Sequence, residues 1–194
     1  MSQIKITVLK QGKVSRNVIT CCLFTTGDSY RIFNQYVGDF KRFLTQTEHL
    51  KTFEVRVYTD DTAKDIILEA AGDNPRVTVL HFNCPQFREG SGHVGMFGTL
   101  VRFLPMFEDL DTVWCSDIDI PSTYLNKDTL QLMSKHNSHI YIQTLICYER
   151  KVYGRNNTII ANKFIVKNLK FSKALLTRFL NKILKGSLKN IIND

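Results

Sequence analysis

Apolar runs alternate with amphipathic stretches along this chain, and the alternation predicts strands and helices in turn. Val18 to Phe24 is an apolar run that ends in the turn signal Thr25-Thr26-Gly27-Asp28. From Tyr30 to Leu44 the spacing becomes helical, with Ile32/Phe33, Tyr36/Val37, Phe40 and Phe43/Leu44 on one side. Phe53 to Tyr58 reads as a second strand, Thr62 to Ala71 as a helix, and Val77 to Phe82 as a third strand. A glycine-rich loop, Glu89 to His93, precedes a helix from Gly95 to Phe107. Asp111 to Cys115 is a fourth strand. Beyond it the pattern predicts a helix at Leu125 to Ser134, strands at His139 to Cys147 and Thr158 to Val166, and a long terminal helix from Phe171 to Ile192. Strands that alternate with helices, and that carry polar residues at their C-terminal ends, indicate an α/β fold with a mostly parallel, Rossmann-like sheet flanked by helices.

In such sheets ligands bind outside the carboxyl ends of the strands. Three predicted strand ends carry Thr/Asp clusters: Thr25/Thr26/Asp28, Thr59/Asp60/Asp61 and Asp117/Asp119. The sharpest is Asp117-Ile118-Asp119. Residues i and i+2 of an extended segment point to one side, so two carboxylates face one small volume. A hard divalent cation, Mg²⁺ or Mn²⁺, is their natural partner, and it would also bind substrate phosphates. An isolated D-x-D is common on solvated loops. Its place at the end of an apolar strand gives this one its weight.

Composition and charge narrow the class. The chain has 194 residues and a formal net charge of +8, unevenly spread. Arg150 to Asp194 holds eleven Lys/Arg and one acid, a net of +10, whereas Met1 to Glu149 is nearly neutral at −2. This split argues against a uniformly basic nucleic-acid binder. A hydrophobic content of 43% supports a real core and excludes global disorder. Length fits one catalytic domain over 1–194, or one domain of a longer protein. No run of about 18 apolar residues is present, and the N-terminus is too polar for a signal-peptide core. The five cysteines, Cys21, Cys22, Cys84, Cys115 and Cys147, have no C-x-x-C spacing. Buried free thiols in a reducing cytoplasm are expected, rather than disulfides or a zinc site. The terminal helix carries Leu175, Leu176, Phe179, Leu180, Ile183 and Leu184 on one face and Arg178, Lys182, Lys185 and Lys189 on the other. It reads as a helix packed on the sheet with a solvated basic face. The alternative is a peripheral membrane contact or a guide for an anionic ligand.

Four segments together resemble nucleotide-diphospho-sugar glycosyltransferases of the GT-A fold, in particular the glycogenin-like group and the glycosyltransferases of large DNA viruses. They are Phe24-Thr25-Thr26-Gly27-Asp28-Ser29-Tyr30, Val57-Tyr58-Thr59-Asp60-Asp61, Gly95 to Phe103, and Trp114-Cys115-Ser116-Asp117-Ile118-Asp119-Ile120. Their order and spacing match over Val18 to Pro121. The resemblance implies a nucleotide-sugar-binding half at 18–121 and an acceptor-side half with the terminal helix at 122–194. It implies a transferase that moves a sugar from a UDP-type donor to a glycan or protein acceptor, in the cytoplasm (the host's, if the protein is viral). Residue by residue, it implies that Thr25, Thr26 and Tyr30 contact the nucleoside and that Asp60 contacts the base or ribose. Arg102 would approach the sugar or diphosphate, Ser116 would line the donor site, Asp117 would bind ribose or metal, and Asp119 would ligate Mn²⁺ or Mg²⁺.

Plainer readings stand beside these: Thr25 and Thr26 as helix caps, Arg102 in a surface ion pair, and Tyr30 in the core. The family often adds a third metal ligand, frequently histidine, near the C-terminal end. Here all five histidines precede Glu149. A retaining mechanism follows from the likeness alone, with Gln143 or Asn162 stabilising the transition state. Glu149 is the candidate base for an inverting one, or else a plain surface acid. Two other classes remain open: a nucleotidyltransferase, and a non-enzymatic module that binds a membrane or partner through the basic helix.

Overall fold

The computed structural model describes residues 4–25, 33–94, 97–118, 127–142 and 164–184. Their strands are β1 (Lys5–Lys10), β2 (Asn17–Cys22), β3 (Phe53–Thr59), β4 (Val77–Asn83), a two-residue hairpin of β5 (Arg88–Glu89) and β6 (Gly92–His93), β7 (Thr112–Cys115), β8 (Ile140–Ile142) and β9 (Phe164–Lys167). The helices are α1 (Phe33–Gln46), α2 (Lys64–Ala71), α3 (Phe97–Val101), α4 (Lys127–Lys135) and α5 (Lys173–Leu184).

The main sheet runs β1-β4-β3-β2-β7-β9-β8. Within it β4, β3, β2 and β7 are parallel neighbours. β1 closes one edge antiparallel to β4, and β9 runs antiparallel to both β7 and β8. The fold is therefore α/β with a mixed, mostly parallel sheet flanked by helices, as the alternating pattern predicts.

Burial on both faces explains why the central strands form where they do. Val18, Ile19, Thr20 and Cys21 of β2 are all fully buried. Ile19, Cys21 and Leu23 join Phe40, Phe43, Ile67, Trp114 and Met133 in the layer beneath α1, α2 and α4. Cys22 and Tyr58 turn the other way, toward Phe87, Phe97, Val101 and Leu180. Met106, Val113, Cys115 and Phe164 complete that second layer. Each large apolar side chain so buried contributes roughly 1.5–3 kcal/mol before entropy is charged against it.

Three elements differ from the expectation. β1 is a strand that the sequence pattern does not call for; its residues are mostly exposed, so little burial marks it. The helix expected from Gly95 to Phe107 stops at Val101. A separate 3-10 turn follows over Leu104–Phe107, with Pro105 near its start, because proline has no N–H to continue an α-helix. On α5 only part of the apolar arc is covered. Leu176 and Leu180 pack on the core, whereas Leu175 and Phe179 remain 49% and 37% exposed. The arc is wider than the strip of sheet beneath it.

Candidate functional site

The parallel core has a topological switch point. From β2 the chain moves outward to β3 and then β4, and it returns on the other side of β2 as β7. The connections diverge there, which leaves a crevice between the carboxyl ends of β2 and β7. Thr25 follows one of these strands, and Ser116 and Asp117 follow the other. The sequence-predicted Thr25, Asp60, Arg102, Ser116 and Asp117 all lie at this edge or just beneath it. Thr26, Tyr30, Asp119, Gln143, Glu149 and Asn162 fall outside the described residues.

Arg102 follows α3 and is buried, with 6% of its surface exposed. Its backbone carbonyl is fixed to β2 by the Thr20 hydroxyl, which donates to it at 2.8 Å. Its Nη1 donates to the Ser116 carbonyl at 3.2 Å and to the Asp117 carboxylate. The guanidinium also lies 5.4 Å from the Phe103 ring centroid. Burial works to weaken its hold on the proton. Interaction with the Cys22 and Asp117 side chains outweighs that, and its pKa is raised. The charge is permanent, and Nε is buried without a hydrogen-bond partner among the described residues. An unmet buried donor costs about 1–3 kcal/mol, a cost that a bound acceptor would relieve. Asp117 keeps 34% of its side chain exposed, so the pair opens onto the crevice.

Asp60 has a different setting. Its side chain is fully buried. Oδ1 accepts from the Thr62 N–H at 3.0 Å and from the Thr62 hydroxyl. Oδ2 accepts from His93 Nδ1 at 3.0 Å. The other ring nitrogen, Nε2, lies 3.0 Å from the Cys84 N–H. These partners fix the tautomer: Nε2 must accept, so Nδ1 carries the proton, and the imidazole is neutral. An Asp–His pair invites reading as a catalytic base, but here the nitrogen that would act is occupied by a backbone donor and sealed from solvent. The pair instead anchors the crevice. Thr62 Oγ1, held by Asp60, accepts from the Thr25 N–H at 2.9 Å, so the loop after β2 is tied to the ends of β3 and β4 and to the β5–β6 hairpin. Gly92 permits this closeness; a Cβ there would stand 3.1 Å from Thr62 Cγ2. His93 is the residue that sequence reasoning overlooks. Its sequence signal is its place at the end of the glycine-rich loop.

Asp61 points outward on the same edge. Its carboxylate meets Lys64 at 2.9 Å, His81 at 3.1 Å and also Arg88. Hydrogen bonds from Lys64 and Arg88 hold its pKa well below the usual carboxylate range. With Asp60 and Asp61 both engaged, Asp117 is the strand-end carboxylate that retains an open face among the described residues.

Its chemistry suits a hard cation, which takes carboxylate oxygen. No three His, Cys, Asp or Glu side chains converge among the described residues. The described residues alone therefore assemble no cation site; Asp117 offers a single carboxylate, and Asp119 lies outside the described residues.

The four described thiols are held protonated by burial. Cys21, Cys22, Cys84 and Cys115 are free. Burial pushes Cys22 up to about 11 and holds Cys21 and Cys115 higher still. No described helix is long and apolar enough to cross a membrane. Compared with protein-family models, curated proteins and solved structures, the chain has no match in any of the three.

Proposed function

We propose that the crevice binds a nucleoside diphosphate-linked sugar together with Mn²⁺ or Mg²⁺, and that the protein is a glycosyltransferase of the GT-A type. One observation carries the reading. A buried, permanently charged arginine, whose Nε has no partner among the described residues, sits at the switch point of a Rossmann-like sheet, paired with the part-exposed Asp117. The leaving group of sugar transfer is an anion, and its growing charge needs fixed positive groups. Arg102 supplies one, preorganised by Thr20, Ser116 and Phe103. Asp117 supplies a hard oxygen to the cation, and Asp119 follows it in the sequence. The Asp60–His93–Thr62 chain holds Thr25 in place on the nucleoside side of the crevice. The cation, when bound, would screen the diphosphate and act as a Lewis acid. Acceptor, donor sugar and retaining stereochemistry rest on the resemblance; Gln143 or Asn162 would stabilise a retaining transition state, and Glu149 is the candidate base for an inverting one.

The test is a thermal-shift titration with Mn²⁺ and UDP. The melting temperature should rise by several degrees at saturation, because a ligand at about 100 times its Kd contributes about 2.7 kcal/mol. Asp119→Ala and Arg102→Gln should each remove most of the shift. An unmoved wild-type melting curve at millimolar UDP and Mn²⁺ would sink the reading.

A further inference from the structure

A second cavity lies at the opposite edge of the sheet, by the amino ends of β3 and β4. It has a volume of about 640 Å³, within the range of small-molecule sites. Three separate segments build it: Lys13 before β2, the end of α1 with Leu44, Thr45, Glu48 and Lys51, and Asn74-Pro75-Arg76 before β4.

The walls are fixed. Lys13 N–H donates to the Pro75 carbonyl at 2.6 Å. A Cβ on Gly12 would come within 2.8 Å of the Val77 backbone, so only glycine allows this approach. Lys10 Nζ braces the Asn74 and Val77 carbonyls at 2.6 and 3.0 Å. Arg76 caps α1, donating to the carbonyls of Thr47, Leu50 and Leu44 at 2.8, 3.2 and 3.3 Å.

The charge is one-sided. Arg76 spends its hydrogen bonds on carbonyls, and burial lowers its pKa, with Glu48 the acid that opposes the effect. Lys13 and Lys51 are exposed, and their ammonium groups have no hydrogen-bond or ion-pair partner among the described residues. Two ammonium groups without a described partner, Lys13 and Lys51, thus line the cleft with the committed Arg76 and one acid, Glu48. Such a cleft concentrates anions. Leu44 and Pro75 add apolar floor, and Thr45 and Glu48 add polar groups that can accept from a hydroxyl.

The geometry points to a binding site for an organic phosphate of nucleotide size, with phosphates on Lys13 and Lys51 and the hydroxyl-bearing part on Thr45 and Glu48. The site is separate from the crevice and does not depend on the activity proposed there. Isothermal titration with ATP, tripolyphosphate and inorganic phosphate, without divalent metal, tests it. ATP should bind with one site per chain, and more tightly than inorganic phosphate. The double variant Lys13→Glu/Lys51→Glu should weaken binding by about tenfold or more, because like charges then face the ligand. Both positions are exposed, so the fold is not at stake, and an unchanged melting temperature would confirm that. Arg102→Gln should bind ATP as the wild type does. No heat with ATP would overturn the proposal. So would binding that survives the double variant but is lost in Arg102→Gln, which would place the nucleotide in the crevice. Equal affinity for tripolyphosphate and ATP would reduce the site to a polyphosphate site and overturn the nucleotide-sized assignment.

Discussion

Asp61 shows how a single carboxylate can tie a strand end together. Lys64 lies on its own helix, His81 on β4 and Arg88 on the hairpin, and all three converge on it. Its folded pKa is depressed, so the sign of its contribution is fixed. The stabilisation is complete above the unfolded value of about 4 and is lost as pH falls below that toward the depressed folded value. Asp61→Asn should therefore lower stability at pH 7, and its stability should fall less steeply than the wild type's below pH 4. Urea melts at a series of pH values would show the two curves converging in acid; parallel curves would mean that Asp61 contributes nothing through its charge. Asp60, one residue earlier, has the opposite fate. It is sealed and meets a neutral imidazole and a threonine, so it serves position rather than charge.

Among the elements, α5 shows how a wide apolar arc is divided by what lies beneath it. Leu180 is buried against Tyr58, Phe97 and Val101, whereas Leu175 is half exposed. Leu180→Ala should cost about 2–4 kcal/mol, and Leu175→Ala about 0.5 kcal/mol or less. Chemical denaturation followed by fluorescence of Trp114, which is 1% exposed, would separate them; equal costs would mean a different face is docked. The helix also marks how far the sequence pattern reaches. β2, β4 and β7 are legible because burial on both faces leaves a largely apolar run with polar punctuation, and β3 because Phe53, Val55 and Val57 keep an apolar face alternating with Glu54 and Arg56. Asp117 is legible as a candidate because it ends such a run, and Arg102 only through the family resemblance of its helix. The side chains that α5 leaves exposed are not legible, since periodicity gives an apolar arc without the width of its partner. β1 escapes notice because an exposed edge strand is held by backbone hydrogen bonds, with no burial signature. The bond between Asp60 and His93 joins residues 33 positions apart, and only the tertiary fold brings them together. The basic cavity is illegible for the same reason, with walls from three distant segments.

At the scale of the molecule, β2 is the hub. It is the first strand of the parallel core to be made, and it ends between β3, which follows it, and β7, which comes much later in the chain. That placement has a consequence for synthesis from the N-terminus. β3 can pair with β2 early, but the strip of β2 that faces β7 must wait until α1, α2, β4 and the hairpin have all been produced. Until then a largely apolar strand carries one row of unpaired amides and carbonyls, the arrangement that invites wrong partners. A chain released after Val94 should therefore aggregate, whereas one extended through β7 and β9 should stay dispersed; light scattering on the two products separates these outcomes. The crevice is thus finished late in assembly, and a half-made chain holds the exposed seam without the site.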